Sequence, residues 1–543
     1  MPPNIPIHPK LTITQASKLL ATKKIKSSQL SKKCLNRAVF GEETLRLNAF
    51  THLLSKDEIL AQANLSDNRI RNNQRLSLLD GIPVTIKSNI SVKGKPFTAC
   101  SRILGEGVEL KNMKNHNGME DAYVVKRLLR DSGAVLIGLT NMDEFGMGSL
   151  GINVPNFNRV PRNPLPFLNA EENGQLPDEI DHTKFPHWST GGSSSGAASS
   201  VAFGSCLLAI GTDTGGSVRL PSAWNGVVGW KPTYGWMSRH GVIEYASSLD
   251  TIGIISPSVG CAHLATNSLL TPLHNDHDNY QQMVGDATAI QVKTVPQIEQ
   301  DMNLYGMRIG IPSSFSLFET PSLITEAWEA SAAYLHDYCG ASIVTLDDDS
   351  LSKEWIKQSL AAYYVLACAE ASSNLSRYDG LRYGVDHCPF SIHNMEHGLS
   401  LLAQKYSSHR STFFGDEVIN RILCGNAVLS SNRFHTFYES AAKVRASLSK
   451  QFNQLFQNKV DVMLIPTSLS LPWDINQHVS SLNSTKTFEN DLMTTPISLS
   501  CLPSISVPLK HEENLVGMQI FGPRYGEEKV LKSAACLEKM ILK

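Results

Sequence analysis

Through the first half of the chain, short apolar runs alternate with stretches whose apolar residues recur every three or four positions. Gly81–Ile90, GIPVTIKSNI, sets Ile82, Val84 and Ile86 on one side of an extended chain, the period-two pattern of a strand. DAYVVKRLLRDSG spaces Val124, Val125, Leu128 and Leu129 helically and stops at Gly133, a residue suited to the turn that ends a helix. AVLIGLTN follows at once as a continuous apolar run, which suits a strand buried on both faces of a parallel sheet. Later, SAAYLHDY and FHTFYESAAKVRASLSKQFNQLF carry helical spacing, and Val460–Ser468, VDVMLIPTS, reads as another strand. Alternation of this kind predicts an α/β fold, a largely parallel sheet with helices on its faces.

Three segments break the pattern. Residues 163–188 are rich in Pro, Asn and acidic residues and read as an irregular surface loop; 270–300 read as a second irregular connection. From about 320 to 450 the pattern is helical. No fixed-period repeat and no linker of domain-boundary quality appears, so one large domain (about 12–540) with a helical elaboration is expected.

Composition narrows the picture. Of 543 residues, 42% are hydrophobic and 18% charged, enough for a sizeable core. A net charge of -1 offers no bulk attraction to nucleic acid, so an RNA-linked substrate would be held mainly by another chain. The ten cysteines form no C-x-x-C pair, which favours free thiols in a reducing compartment. No apolar run approaches the ~18 residues of a membrane span. Residues 1–41 contain no Asp or Glu but many lysines, the profile of an organellar transit segment. The same residues also read as amphipathic helices with Leu19, Leu20 and Ile25 packed inward.

Candidate chemistry centres on Ser189–Ser200, STGGSSSGAASS, almost wholly Gly, Ser and Ala. The apolar SVAFGSCLLAIGTDTGG that follows argues against a linker and for a turn feeding a helix from about Gly196 to Phe203. Gly192–Gly196 satisfies G-x-S-x-G literally, but TKFPHWSTG is not the buried strand such a nucleophile elbow requires. A second Gly/Ser element, GTDTGGSVRLPS, places Ser217 24 positions after Ser193, and Lys87 ends the strand PVTIK. TDTGGS lacks the Lys-Ser/Thr pair of a phosphate-binding loop.

Lys87, GGSSSG and GTDTGGSVR…NGVVGWKPTYG together resemble the amidase signature family, over nearly the whole chain. The resemblance implies a large mixed, mostly parallel β-sheet core covered by helices on both faces, and a Ser–cis-Ser–Lys catalytic unit. By it, Ser217 is the nucleophile, Ser193 the bridging serine in a cis peptide, and Lys87 the base. The chemistry is sensible: a serine hydroxyl needs a base within reach, and a lysine serves only if burial holds its amine neutral. The amides of Thr214, Gly215, Gly216 and Ser217 would form the oxyanion hole. No metal is implied.

TNMDEFGMGS (Thr140–Ser149), AEASSNLSRYDGLRYG (Ala369–Gly384) and NDLMTTPISLSCLPSISVPL (Asn490–Leu509) are most similar to the branch that supplies A subunits of glutamyl-tRNA(Gln) amidotransferases. That likeness implies hydrolysis of glutamine to glutamate and ammonia. It implies no cofactor in this chain. Its partners would be a B subunit, which uses ATP and Mg to amidate Glu-tRNA(Gln), and a small third subunit. By motif position Arg421 would take the α-carboxylate of glutamine, Asp491 its ammonium, and Tyr363, or the adjacent Tyr364, would line the pocket. From residue type alone, Arg421 is a solvated helix residue and Asp491 a cap. Where the family reads R-V-P-G-G-S-S-G-G-S, this chain has HWSTGGSSSGAAS, with Ser195 for a glycine, and its 163–188 loop is longer than in bacterial members. With the basic N-terminus, these departures point to a divergent mitochondrial member of fungal type, acting in the matrix, with the cytoplasm as the alternative location; a stand-alone amidase for another small amide is the alternative function.

Overall fold

Eleven strands join in one sheet in the order β1-β3-β2-β4-β6-β5-β10-β11-β9-β7-β8. In chain order they are β1 Phe50–Leu53, β2 Pro83–Lys87, β3 Val135–Thr140, β4 Leu208–Asp213, β5 Val228–Lys231, β6 Thr251–Ser256, β7 Arg308–Pro312, β8 Ser342–Leu346, β9 Val462–Pro466, β10 Ser504–His511 and β11 Asn514–Phe521. The computed structural model describes residues 11–105, 117–156, 159–177, 179–270, 303–317, 320–380, 383, 401–478, 486–511 and 514–540. The connection expected across 270–300 falls almost wholly outside them.

The sheet is mixed, and its parallel pairing is concentrated in two groups, β3-β2-β4 and β9-β7-β8, with antiparallel pairing between them and at β1. The first group positions the site. Its three strands are buried along their whole length and mainly apolar, with Lys87, Thr140 and Asp213 at their carboxyl ends. Lys87 of β2 lies opposite Thr140 of β3, and Ile86 opposite Ile210 of β4, so all three carboxyl ends reach the same edge. Segments leaving that edge converge, the usual place for a site in parallel α/β sheets.

Helices cover the sheet. Ile13–Ala21 begins with a capping box between Thr12 and Gln15, and Ser27–Val39 follows. Leu20 and Ile25 are buried and Leu19 packs partly against the core, as the amphipathic reading required. Ile13 N donates to Cys261 Sγ at 3.1 Å, so the chain from residue 11 is built into the fold. The helix after the Gly/Ser turn runs Ser195–Ala202.

Two expectations need correction. The 163–188 loop contains a helix, Leu165–Glu172, that buries Phe167 and Leu168 against Leu45, Leu47 and Phe203. Two turns flanked by prolines are too short to show a helical period. The region 320–450 is not purely helical either, because β8 lies within it at the sheet edge. Ser342 and Thr345 are exposed, and of its five residues only Leu346 is buried, so its apolar signal is weak.

Within that region, the Lys353–Asn374 and Asp416–Leu429 helices meet backbone to backbone. A Cβ on Gly425 would lie 2.0 Å from Cys368 O. Replacing a helix-interior glycine by alanine ordinarily gains ~1 kcal/mol. Here the backbones must separate, which costs about 1–3 kcal/mol or more. Gly425→Ala is therefore expected to lower the denaturant midpoint of the purified chain; a raised midpoint would show that the helices are not in such contact.

Candidate active site

Lys87 is the last residue of β2 and is fully buried. Its Nζ donates to Ser193 Oγ at 2.8 Å, to Thr212 Oγ1 at 3.0 Å and to Thr212 O at 3.4 Å. Three partners suit either protonation state. A neutral amine places its two hydrogens on Thr212 and turns its lone pair to the Ser193 hydroxyl. Burial lowers Lys87 from the ordinary 10.5 to about 7, against the opposing pull of Asp143, Asp213 and Asp250. The amine is thus poised as a base near neutrality.

Ser193 follows a cis peptide bond from Gly192 and is 1% exposed. Asp143, from the segment leaving β3, supports that peptide. Its N–H donates to Ser193 O at 3.3 Å, and its carboxylate accepts from Gly151 N and Asn153 N. A Cβ on Gly192 would lie 2.0 Å from Asp143 Oδ2, so only glycine fits. Burial raises Asp143 to about 6.

Ser217 is the most open of the three, at 8% exposure. It sits in the turn between β4 and the Arg219–Trp224 helix, and its carbonyl accepts from Ser194 N at 3.0 Å, joining the two Gly/Ser elements. Asp213 holds the turn from beneath, taking the amides of Val218 and Arg219 and two bonds from the Arg219 guanidinium. Both side chains are fully buried. The remaining guanidinium hydrogens go to Thr494 O, Gln519 Oε1 and Ser498 Oγ, so all five donors of Arg219 are used. On the open side, the amides of Gly215, Gly216 and Ser217 have no hydrogen-bond partner among the described residues. Unpaired N–H groups beside a serine are what a developing oxyanion requires. Thr214 is tied down through its hydroxyl, which donates to Asp250 at 2.7 Å.

Arg421 and Asp491, expected to hold the two charged ends of glutamine, are equally buried. Arg421, from the Asp416–Leu429 helix, is 5% exposed and Asp491 6%, which overturns the solvated-helix and simple-cap readings. Arg421 Nε donates to Glu417 at 2.7 Å and one terminal nitrogen to Tyr245 OH at 2.5 Å. Asp491 Oδ2 accepts from Ser149 Oγ and Tyr364 OH, each at 2.6 Å. The Tyr364 ring also lies 5.2 Å from the Arg421 guanidinium carbon, so it connects the two charges. Tyr363 is placed differently: a Cβ on Gly215 would lie 2.5 Å from its hydroxyl. Tyr363 thus faces the oxyanion turn, and Tyr364 rather than Tyr363 bonds the carboxylate.

The amidase family model matches residues 41–531. The chain belongs to the amidase family. This amidase is 35% identical to the A subunit of the glutamyl-tRNA(Gln) amidotransferase of Halothermothrix orenii over 496 residues, 90% of this chain and 91% of that one. It is 33% identical to the mitochondrial A subunit of Mus musculus, over 98% and 93% of the two chains. The crystal structure of the Thermotoga maritima A subunit superposes with a TM-score of 0.69 at 29% identity, covering 99% of this chain and 96% of that one.

Several residues of the amidase site escaped the sequence reading. Thr212, Asp143, Ser149, Arg219 and Tyr245 all stand there, four of them inside segments quoted above for other reasons. Thr212 and Arg219 flank Ser217 closely enough for the spacing to have flagged them; Tyr245 carries no such signal.

With Lys87 near 7, amide hydrolysis has a predictable acid limb. As pH falls below about 7 the amine gains its proton, and kcat/KM should drop about tenfold per pH unit, with a plateau above. A limb that keeps rising toward pH 10 would mean an ordinary, solvated lysine.

Proposed function

We propose that this amidase is the glutamine-hydrolysing A subunit of a glutamyl-tRNA(Gln) amidotransferase. The observation that carries the reading is the pair of buried opposite charges, Arg421 and Asp491, beside the serine–lysine site. A pocket for a neutral amide has no use for them, whereas free glutamine carries both an α-carboxylate and an ammonium. The names of the full-length relatives point the same way.

In this reading Ser217 Oγ attacks the side-chain amide carbon of glutamine while its proton passes through Ser193 to Lys87. Negative charge on the former carbonyl oxygen is met by the amides of the 214–217 turn. Lys87, through Ser193, returns the proton to the leaving nitrogen, ammonia departs, and water hydrolyses the acyl-serine to glutamate. Ammonia then serves a B subunit, which with ATP and Mg converts Glu-tRNA(Gln) to Gln-tRNA(Gln), in a complex that includes a small third subunit. A neutral overall charge fits a chain that leaves most phosphate contacts to its partner. The single-domain organisation belongs to the same reading, as does a mitochondrial matrix location, supported by the mitochondrial relative and the acid-free N-terminus.

Affinity purification followed by glutaminase assay tests the proposal. The expected result is a complex whose glutamine hydrolysis falls at least ~10⁴-fold in Ser217→Ala. In Arg421→Lys, loss of the bidentate fork should raise KM for glutamine on the order of tenfold. Recovery of a lone chain that hydrolyses apolar amides and leaves glutamine untouched would overturn it.

A further inference from the structure

Asp143 and Glu144 are adjacent, yet their carboxylates serve different parts of the site. Asp143 holds the Gly192–Ser193 segment, as described. Glu144 points the other way, toward the segment that introduces the Arg421 helix. It is 5% exposed, and its Oε2 accepts from Gly415 N at 2.8 Å, the residue that caps the Asp416–Leu429 helix. Its Oε1 accepts from Ser101 Oγ. The next residue, Arg102, donates to Thr412 O at 2.6 Å, and Phe145 packs against Phe414 and Tyr378 with ring centroids 5.8 and 5.3 Å apart. Apart from the Tyr378 ring, these contacts grip residues 412–415. The helix then carries Arg421 six residues, or ~9 Å, along its axis.

We infer that Glu144 is a positioning residue that fixes the Arg421 helix relative to Ser193 and Ser217, and so sets the length of amino acid the site accepts. The inference rests on the reading of Arg421 as the α-carboxylate anchor. Glutamine and asparagine carry the same charged groups and differ by one methylene between the α-carbon and the amide. A site that holds the anchor at a fixed distance from the nucleophile discriminates between them; a site whose anchor can shift does not. Among the described residues, Glu144 touches neither the reacting atoms nor the anchor itself, and its carboxylate reaches the helix only through the Gly415 amide.

The carboxylate leaves no room at that contact. A Cβ on Gly415 would lie 2.3 Å from Glu144 Oε2, although Gly415 has an ordinary extended conformation that alanine also adopts. Gly415→Ala therefore disturbs the contact from the helix side without backbone strain. Glutamine at position 144 is a conservative replacement, because its carbonyl accepts from Gly415 N and its amide donates to Ser101 Oγ, a hydroxyl able to accept.

The test measures kcat and KM of the purified amidotransferase complex for glutamine and asparagine, and for butyramide, which has no charged ends. Glu144→Ala and Gly415→Ala are each expected to raise KM for glutamine on the order of tenfold, leave kcat within about twofold, narrow the glutamine-to-asparagine preference, and leave butyramide hydrolysis unchanged. Glu144→Gln should stay within about threefold of the wild type. A residue that merely stabilised the fold would lower the rates on all three amides together. If Glu144→Ala does not fold, Gly415→Ala alone decides by the same measures. An unchanged glutamine KM in the variants, with an active wild-type glutaminase, overturns this inference alone. A wild-type complex that hydrolyses butyramide and not glutamine overturns the functional reading and this inference with it.

Discussion

A lysine amine kept out of water at the end of a parallel strand is the constraint around which this amidase is arranged. Charged ammonium is costly to bury, and no carboxylate forms an ion pair with Lys87 among the described residues. Its partners are neutral: Thr212 offers two acceptor oxygens, and the Ser193 hydroxyl can accept from an ammonium or donate to the lone pair of an amine. Three carboxylates stand farther off, and each is occupied. Asp143 is held by Gly151 and Asn153, Asp213 by Arg219, and Asp250 by Thr214 and the amides of Tyr245 and Ala246. Desolvation therefore prevails over attraction, and the amine is left near neutrality as a base.

The oxyanion turn rests on a second, different constraint. Asp213 and Arg219 form a buried ion pair with every guanidinium hydrogen used, and such a pair loses about 3–5 kcal/mol when one partner is removed. Its value here is geometric. Through Thr494, Ser498 and Gln519 it ties the turn bearing Ser217 to β11 and to the segment bearing Asp491. Ser217, the unpaired amides of its turn and the segment bearing Asp491 thus share one anchor. Gln519 extends it by donating to Pro466 O and Met493 O.

How much of this was legible in the sequence depended on how local each feature is. Lys87, Ser193 and Ser217 stand in short contiguous motifs, and the structure brings their elements together where the carboxyl ends of β2 and β4 meet. The β3 and β9 strands were visible as apolar runs, and β2 by the alternation of Ile82, Val84 and Ile86. Arg421 and Asp491 were invisible as buried charges, since their burial comes from elements far away in the chain. Tyr363 and Tyr364 are successive residues of one helix, separated by about 100° around its axis, and no motif says which side meets Asp491. Asp143 and Glu144 lay inside a quoted segment, but their opposite duties follow from where β3 ends. The Leu165–Glu172 helix and β8 were missed for want of period or of full burial.

The claim that burial keeps Lys87 neutral is tested most directly by titrating its own amine. Carbon-13 NMR of lysine Cε carbons, with the Lys87 signal assigned by its loss in Lys87→Met, follows protonation of this one group. A midpoint near 7 for the Lys87 signal is the result predicted. A Lys87 signal that titrates near the ordinary lysine value of 10.5 would contradict the account.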